Sequence, residues 1–328
     1  MNESFSQSLI FFDSVEPTET HWLWYPYIPL GKVTIMMGDP GEGKSTLSLA
    51  IASAVTQGAQ FPDTKTAVRA PEIVLYQNAE DGLADTIIPR VKRLGGNCRG
   101  LVTINEMKEN ADMRSTMLYE VISQMKPKLV ILDPLQAYLG EHVDMHRANE
   151  IRPVMHYLSM LAEKFGCAIV LIGHMNKKCD LRSIYRGLGS IDITAAARSV
   201  LLVGRDPEHA ENRVVVQVKN SLAPEGPPVA FTIGEEGEFE YLGEYEIRTE
   251  SLLSGGERRM AERDRSVIFL KELLTKHPSL PVREIYDCAA GENISKRTLY
   301  RAAKALGIVV KQRNHCSEWS LPNRQTTG

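Results

Sequence analysis

The sequence has 328 residues, 43% of them hydrophobic, which is enough for about two domains with buried cores. No apolar run approaches the ~20 residues that a transmembrane helix needs, and the acidic N-terminal stretch lacks the basic start of a secretory signal. The cysteines form no CxxC pair, which favours reduced thiols over a disulfide framework or a zinc site. We therefore expect a cytoplasmic protein.

Charge is distributed unevenly along the chain, although the net charge is only −3. From Arg258 to the C-terminus there are 14 lysines and arginines against 7 acidic residues, whereas the rest of the chain has 24 against 34. A basic tail on an acidic body predicts that the tail binds a polyanion. The alternative is an ordinary solvated surface.

Four nearly continuous apolar runs precede residue 205. Such runs are typical of strands that are covered on both faces, as in a parallel sheet. They are KVTIMMG (32–38), EIVLYQNA (72–79), KLVILD (128–133) and AIVLIGH (168–174). Helical patterns alternate with them at Lys44–Thr56, Asp85–Leu94, Ser115–Met125 and Asn149–Phe165. This alternation predicts an α/β fold with a mostly parallel sheet between helices. Further strands at 199–205, 213–220 and 230–234 suggest an antiparallel extension.

The remaining sequence predicts a linker and a small second domain. Residues 236–260 are acidic and then Gly-rich, which is typical of a linker. Beyond them we predict helices at Asp264–Thr275, Val282–Ala290 and Ser295–Leu306, followed by a β-hairpin. Ser295 is the predicted N-cap of the last helix and Gly307 the residue after its end. Three helices and a hairpin predict a winged helix-turn-helix domain at 261–328, after an N-terminal segment (1–28) and the α/β domain (29–235).

A phosphate-binding loop follows the first strand. The pattern GxxxxGK[ST] places glycine amides around an anion at a helix N-terminus, with lysine on the phosphates and serine on Mg²⁺. It therefore predicts ATP and Mg²⁺ as ligands. The residues concerned are Gly38, Asp39, Pro40, Gly41, Glu42, Gly43, Lys44, Ser45 and the adjoining Thr46.

Polar side chains at the ends of other strands complete the predicted ATPase site. Asp133 ends the third apolar strand, which we expect beside the P-loop, and it would hold Mg²⁺ together with Ser45. Glu80 follows the second strand and can act as the base for the attacking water, with Asp81 as the rival. His174 ends the fourth strand and can contact the γ-phosphate. The alternatives are a capping aspartate, a solvated loop acid and a structural histidine.

The ordered segments resemble a known family of ATPases. GDPGEGKST, YQNAEDG, VILDPLQAYLG, IGHMNK, RGLGSIDITAAARSVLLVGRDPE and VKNSLAPEGPPVAF together resemble RecA-like ATPases of plasmids, phages and mobile elements, over residues 20–235. The best-understood of these are RepA-type hexameric replicative helicases, with DnaB-type helicases and RadA more distant. The resemblance implies a homo-oligomeric ring, expected to be a hexamer, with ATP at subunit interfaces.

The same resemblance implies roles for individual residues. Glu80 matches the catalytic carboxylate and His174 the sensor position. Arg205 is the candidate arginine finger donated in trans, with Arg198 a weaker one. Lys219 resembles the lysine of the Lys-x-Arg pair of DnaB-type enzymes, but Ser221 replaces the arginine, which departs from the family pattern.

Two regions are candidates for contact with DNA. The segments 138–147 and 177–186 resemble the central loops that bind single-stranded DNA, with positive charge from Lys177, Lys178, Arg182 and Arg186. The helix 295–306 divides into an apolar face and a basic face, as a recognition helix does. That basic face carries Lys296, Arg297, Tyr300, Arg301 and Lys304. The alternatives are a mobile loop and a protein-docking module.

Three functional hypotheses remain open from the sequence. The first is a ring-shaped DNA helicase of a mobile genetic element. The second is an ATP-switched, DNA-binding regulator or loader, which the absence of arginine at position 221 favours. The third is a RadA-like recombination ATPase.

Overall fold

The computed structural model describes residues 11–62, 70–105, 109, 112–140, 143–145, 147–175, 191–277, 279–292, 294–313 and 316–322. The chain divides into two compact units, Met1–Glu250 and Ser251–Gly328. Among the described helices, none is long and apolar enough to cross a membrane.

The described strands and helices follow the chain in this order. The strands are β1 (Trp22–Trp24), β2 (Ile28–Pro29), β3 (Val33–Gly38), β4 (Val74–Asn78), β5 (Leu101–Val102), β6 (Leu129–Asp133), β7 (Ala168–His174), β8 (Ser199–Arg205), β9 (Asn212–Asn220), β10 (Val229–Ile233), β11 (Phe239–Glu244), β12 (Leu280–Pro281), β13 (Val309–Arg313) and β14 (Cys316–Ser320). The α-helices are α1 (Lys44–Gln57), α2 (Ile88–Arg93), α3 (Thr116–Met125), α4 (Ala148–Phe165), α5 (Ile191–Ala196), α6 (Thr249–Lys276), α7 (Val282–Gly291) and α8 (Lys296–Leu306).

The first unit is built on a nine-stranded sheet with the order β11-β10-β9-β8-β3-β7-β6-β4-β5. The six neighbouring strands β8, β3, β7, β6, β4 and β5 are parallel. Beside β8, the strands β9, β10 and β11 extend the sheet with antiparallel pairing. Strands β3 and β6 are buried along their whole length, as the continuous apolar runs predict. The predicted α/β fold with a mostly parallel sheet is confirmed.

The strand order differs from the sequence prediction in two respects. We predicted that β6 lies beside the P-loop strand, but β7 lies between β3 and β6. We also assigned the strand 199–205 to the antiparallel extension, whereas β8 is parallel to β3 and antiparallel only to β9. Apolar runs indicate that strands are buried but carry no information about which strands are neighbours.

The polar segment after the first predicted domain is folded rather than a linker. β11 pairs with β10, and its residues alternate between half-buried and exposed. Phe239 and Tyr241 lie on the half-buried face, with ring centroids 4.8 Å apart, while two glutamates and Leu242 occupy the exposed face. The acidic composition hid this period-2 alternation. Helix α6 then begins at Thr249, well before the predicted Asp264.

The residues before the P-loop strand also belong to the core. We predicted a separate N-terminal segment ending at residue 28, but Trp24 and Tyr27 are buried in the same apolar cluster as β3. The Tyr27 hydroxyl donates to the carbonyl oxygen of Pro227, and the Ser199 hydroxyl donates to the Tyr27 carbonyl oxygen at 2.6 Å. The strands β1 and β2 therefore pack against the core of the first unit.

The second unit contains α6, α7 and α8 together with a sheet of order β12-β14-β13. Its core includes Leu270, Ile285, Leu299 and Trp319. The Ser295 hydroxyl accepts from the Thr298 backbone N–H and caps α8, as predicted from the sequence. The residue after α8 is Gly307, with a φ of 64°, which also agrees with the prediction.

Candidate nucleotide-binding site

Glycine geometry shapes the loop between β3 and α1. Gly41 and Gly43 have φ values of 82° and 93°, a conformation that other residues rarely adopt. A Cβ atom on Gly38 would lie 2.1 Å from the carbonyl oxygen of Val203, so only glycine fits where β8 passes the loop. These constraints produce a turn whose backbone can approach a ligand closely, as a triphosphate requires.

Lys44 is positioned at the centre of this loop. Its side chain is buried, and Nζ donates to the carbonyl oxygens of Gly38 and Asp39, both at 2.9 Å. Burial lowers the pKa of Lys44, and the negative charge of Asp133 is the largest effect opposing this. A desolvated ammonium group gains most from an added anion, so the loop fits a nucleotide phosphate.

Asp133 and Ser45 form the part of the site suited to a metal ion. Asp133 is 2% exposed, and the Tyr76 hydroxyl donates to its Oδ2 at 3.2 Å. Burial raises the pKa of Asp133, while hydrogen bonds from Ser45 and then Tyr76 favour its charged form. A carboxylate and a hydroxyl in contact are hard oxygen ligands of the kind that Mg²⁺ prefers. The residues therefore fit the metal that the P-loop predicts.

Glu80 lies at the C-terminal end of β4, facing the end of β7. The Asn78 side chain accepts from the backbone N–H groups of Glu80 and Asp81, at 3.1 and 2.7 Å, and so fixes the turn that carries both acids. One carboxylate oxygen of Glu80 lies 3.6 Å from Nε2 of His174, and the Glu80 side chain is 59% exposed. Asp81 instead binds Arg90 at 2.7 Å. Of the two rival acids, Glu80 is the one beside His174.

Arg205 lies against the P-loop of its own chain. Its Nη2 donates to the Gly41 carbonyl oxygen at 3.2 Å, and Nε lies 3.7 Å from a carboxylate oxygen of Glu42. Its side chain is only 12% exposed. The resemblance predicted that Arg205 is donated to a neighbouring subunit. Within its own chain Arg205 contacts the P-loop, and its role in trans stays a prediction.

Lys219 and the P-loop lie at opposite ends of the strands. Lys219 pairs with Val200 near the start of β8, whereas the P-loop follows the end of the parallel β3. Its Nζ donates to the carbonyl oxygens of Thr194, Ala195 and Ala197, at 2.8–3.0 Å, and so binds the end of α5. Burial and then Arg198 lower the pKa of Lys219. Within its own chain, Lys219 binds a helix end and is remote from the P-loop.

Of the two groups of predicted DNA contacts, the structure describes the one on α8. Lys177, Lys178, Arg182 and Arg186 lie outside the described residues. On α8, the buried side chains include Leu299, Ala302 and Ala303, so the predicted apolar face is formed. The predicted contact residues on this helix are all exposed, namely Lys296, Arg297, Tyr300, Arg301 and Lys304.

The sequence did not single out Tyr76, Asn78 or Arg213. Arg213 covers the P-loop, since a Cβ on Gly43 would lie 2.8 Å from its Cδ atom. Asn78 carries a recognisable signal, because asparagine side chains commonly stabilise turns by bonding the backbone two residues further on. Tyr76 and Arg213 look like ordinary strand residues, and only the strand order shows where they lie.

Comparisons with known proteins agree with this geometry. Residues 3–180, more than half of the chain, match a family described as an AAA domain (AAA_25). The chain belongs to this AAA-domain family. With its P-loop and its sheet, it is a RecA-like P-loop ATPase.

Individual relatives of this AAA-domain protein are similar over part of their length. DNA repair protein RadA of Bacillus subtilis strain 168 is 25% identical over 227 residues, which are 69% of this chain and 44% of the relative. RadA of Mycobacterium tuberculosis strain H37Rv is 30% identical over 149 residues, 45% of this chain and 28% of the relative. The chain thus spans less than half the length of these relatives.

Among solved structures, the ATPase domain of G40P matches with a TM-score of 0.49 and 13% identity. The match covers 65% of this chain and 85% of that one.

Proposed function

We propose that this AAA-domain protein hydrolyses ATP with Mg²⁺ and uses the energy to act on DNA, as a ring-forming helicase of the replicative type from a mobile genetic element. One observation carries the ATPase part of this proposal. The phosphate-binding Lys44, the metal-binding pair Ser45 and Asp133, and the acid Glu80 all lie at the C-terminal ends of the parallel strands. Asp133 ends β6, Glu80 lies in the loop after β4, and Lys44 and Ser45 begin α1 after the loop that follows β3.

The residues divide the chemistry of hydrolysis among them. Lys44 binds the β- and γ-phosphates, and Ser45 with Asp133 would hold the metal. A magnesium ion held there would neutralise charge that develops on the phosphate oxygens. Glu80 accepts the proton of the attacking water, because it is exposed beside the P-loop and, among the described residues, forms no ion pair with a lysine or arginine, whereas Asp81 pairs with Arg90.

His174 is proposed to link hydrolysis to the segment that follows β7. Its Nε2 lies 3.6 Å from Glu80, and within the described part of the chain its buried Nδ1 has no hydrogen-bond partner. An imidazole that contacts both Glu80 and a phosphate can change position when the γ-phosphate leaves. The adjoining residues 177–186 are the proposed contact with single-stranded DNA.

The second unit is proposed to be a winged helix that contacts DNA through α8. The five polar side chains of α8 at the predicted contact positions are exposed, on the face opposite the core of the second unit. Four of them are cationic, which suits a phosphate backbone. Tyr300 is 64% exposed and can stack or donate a hydrogen bond.

Two alternatives use the same ATPase site. The RadA relatives are named DNA repair proteins, which supports a recombination ATPase as the second candidate. A regulator or loader would bind DNA but would not unwind it. Strand displacement distinguishes the helicase from both.

The test is ATP hydrolysis by the full chain with Mg²⁺, measured with and without single-stranded DNA, followed by strand displacement from a forked duplex. We expect DNA to stimulate hydrolysis and the fork to open only with hydrolysable ATP. Negative-stain images with ATP should show rings. DNA-stimulated hydrolysis without displacement would reject the helicase, and filaments in the images would favour the recombination ATPase.

A further inference from the structure

Tyr76 is a buried tyrosine that connects two parts of the nucleotide site. It lies on β4, two residues before Asn78, the register partner of Asp133 on β6. Its hydroxyl is 3.2 Å from Oδ2 of Asp133 and 3.4 Å from Oγ of Ser48, one turn after Ser45 on α1. Because alternate residues of a strand point to the same face of a sheet, Tyr76 and the register partner of Asp133 share a face.

The position of the hydroxyl proton follows from the donors and acceptors present. Ser48 already donates its single proton to the Ser45 carbonyl oxygen at 2.9 Å. Tyr76 therefore has two acceptors for its own proton, the Asp133 carboxylate and the Ser48 oxygen. The carboxylate is nearer and charged, and charge-assisted hydrogen bonds are about twice as strong as neutral ones. Tyr76 donates to Asp133.

This bond restrains one of the two carboxylate oxygens. A free aspartate side chain rotates about its terminal torsion, which is broad. Oδ2 is bound to Tyr76 and the carboxylate also has a hydrogen bond with Ser45, so its rotation about this torsion is restrained. The arrangement resembles the outer-shell hydrogen bonds that orient metal-binding carboxylates in other proteins.

We infer that Tyr76 is a positioning residue of the Mg²⁺ site, which acts by holding Asp133 in the orientation that binds the metal. The inference rests on the proposed role of Asp133. Loss of such an outer-shell partner typically lowers metal affinity by about 10- to 100-fold. The effect should appear in the metal dependence of nucleotide binding as well as in turnover.

The experiment compares Tyr76→Phe with Tyr241→Phe in the full chain. Tyr241 is a matched control because its hydroxyl is also buried but, among the described residues, has no hydrogen-bond partner. The readout is the affinity for a fluorescent ATP analogue, titrated with Mg²⁺ and again in EDTA. We expect Tyr76→Phe to raise the Mg²⁺ concentration for half-maximal binding by about tenfold. The affinity in EDTA should stay within about twofold of wild type, which also reports that the variant is folded.

Two further variants keep the test decisive. Ser48→Ala should leave the Mg²⁺ response unchanged, because the Tyr76 proton points to Asp133. In an Asp133→Asn background, Tyr76→Phe should add nothing, because its effect passes through that carboxylate. An unchanged Mg²⁺ response in Tyr76→Phe, or an equal shift in Tyr241→Phe, overturns the inference. If the wild-type chain itself shows no Mg²⁺-dependent binding, the proposed function fails instead.

Discussion

The P-loop and helix α8 both present basic side chains, but they hold them in opposite ways. Lys44 is 4% exposed, and its ammonium group donates to two backbone carbonyl groups. The side chains of α8 are exposed, and the described contact of Lys296 is with the Tyr286 ring at 5.2 Å. The P-loop therefore requires one charged atom in one position. The face of α8 supplies positive charge whose exact placement matters much less.

Replacing lysine by arginine keeps the charge, and we expect this change to have the most different effects in the two regions. We expect Lys44→Arg to reduce ATP hydrolysis by at least about 100-fold, the usual cost of removing a preorganised charge contact. The larger guanidinium does not fit the buried space and cannot act as a point charge. Lys304→Arg should leave DNA affinity within about twofold, because phosphate contacts on an exposed helix need only charge.

Phosphate release and DNA anisotropy measure the two effects. Normal turnover in Lys44→Arg would show that the loop tolerates rearrangement, and the contrast with α8 would not hold.

Removing charge from α8 should weaken DNA binding without affecting the ATPase site. Replacing Arg297 and Arg301 by alanine should lower the slope of log affinity against log salt by about 1 for each lost phosphate contact. Basal hydrolysis in the absence of DNA should be unchanged. Lys271→Ala, an exposed lysine on α6, is the control and should change neither quantity. Unchanged DNA binding in the double variant would assign this face to a protein partner.

Arg205 tests whether a basic residue at the P-loop acts in its own chain. Arg205→Ala should lower nucleotide affinity about tenfold, because a hydrogen bond from a charged group and an ion pair with Glu42 are lost. Mixing Arg205→Ala chains with Lys44→Ala chains distinguishes the two possibilities. A residue acting in cis gives no recovery of activity in the mixture. Recovery would restore the trans arginine finger that the family resemblance suggested.

Lys219 should show the smallest effect, and on stability alone. Lys219→Met removes its hydrogen bonds to the end of α5, and we expect a loss of about 1 kcal/mol in the free energy of unfolding. The nucleotide affinity of the dilute chain should not change, because Lys219 lies at the end of the strands opposite the P-loop. Thermal unfolding with and without ATP measures both. A lowered nucleotide affinity would place Lys219 in the site.

The sequence predicted those features that depend on local patterns. The buried strands, the P-loop and the capped helix α8 each follow from a run of neighbouring residues, and the structure has them near the predicted bounds. The strand β11 was missed because its glutamates dominate the composition, although its aromatic residues alternate with them. Features that depend on strand order were not accessible. The separation of β3 from β6 by β7 is one example.

Side-chain partners were the hardest features to predict. Arg205 and Lys219 are both basic residues in matching family positions, but one bonds to the P-loop and the other to a helix end. Tyr76 approaches Asp133 only because β4 and β6 are neighbours. Long-range contacts of this kind depend on the whole fold, and a single sequence does not reveal them.

The most direct test of the central claim is phosphate release from Mg²⁺·ATP by the full chain, compared between wild type, Glu80→Gln and Asp81→Asn. We predict that Glu80→Gln binds ATP with nearly unchanged affinity but hydrolyses it at least about 100-fold more slowly, because the general base is lost. Asp81→Asn, which loses only its pairing with Arg90, should retain most of the activity. Equal rates for wild type and Glu80→Gln, or a wild-type chain without affinity for nucleotide, would contradict the assignment of this site.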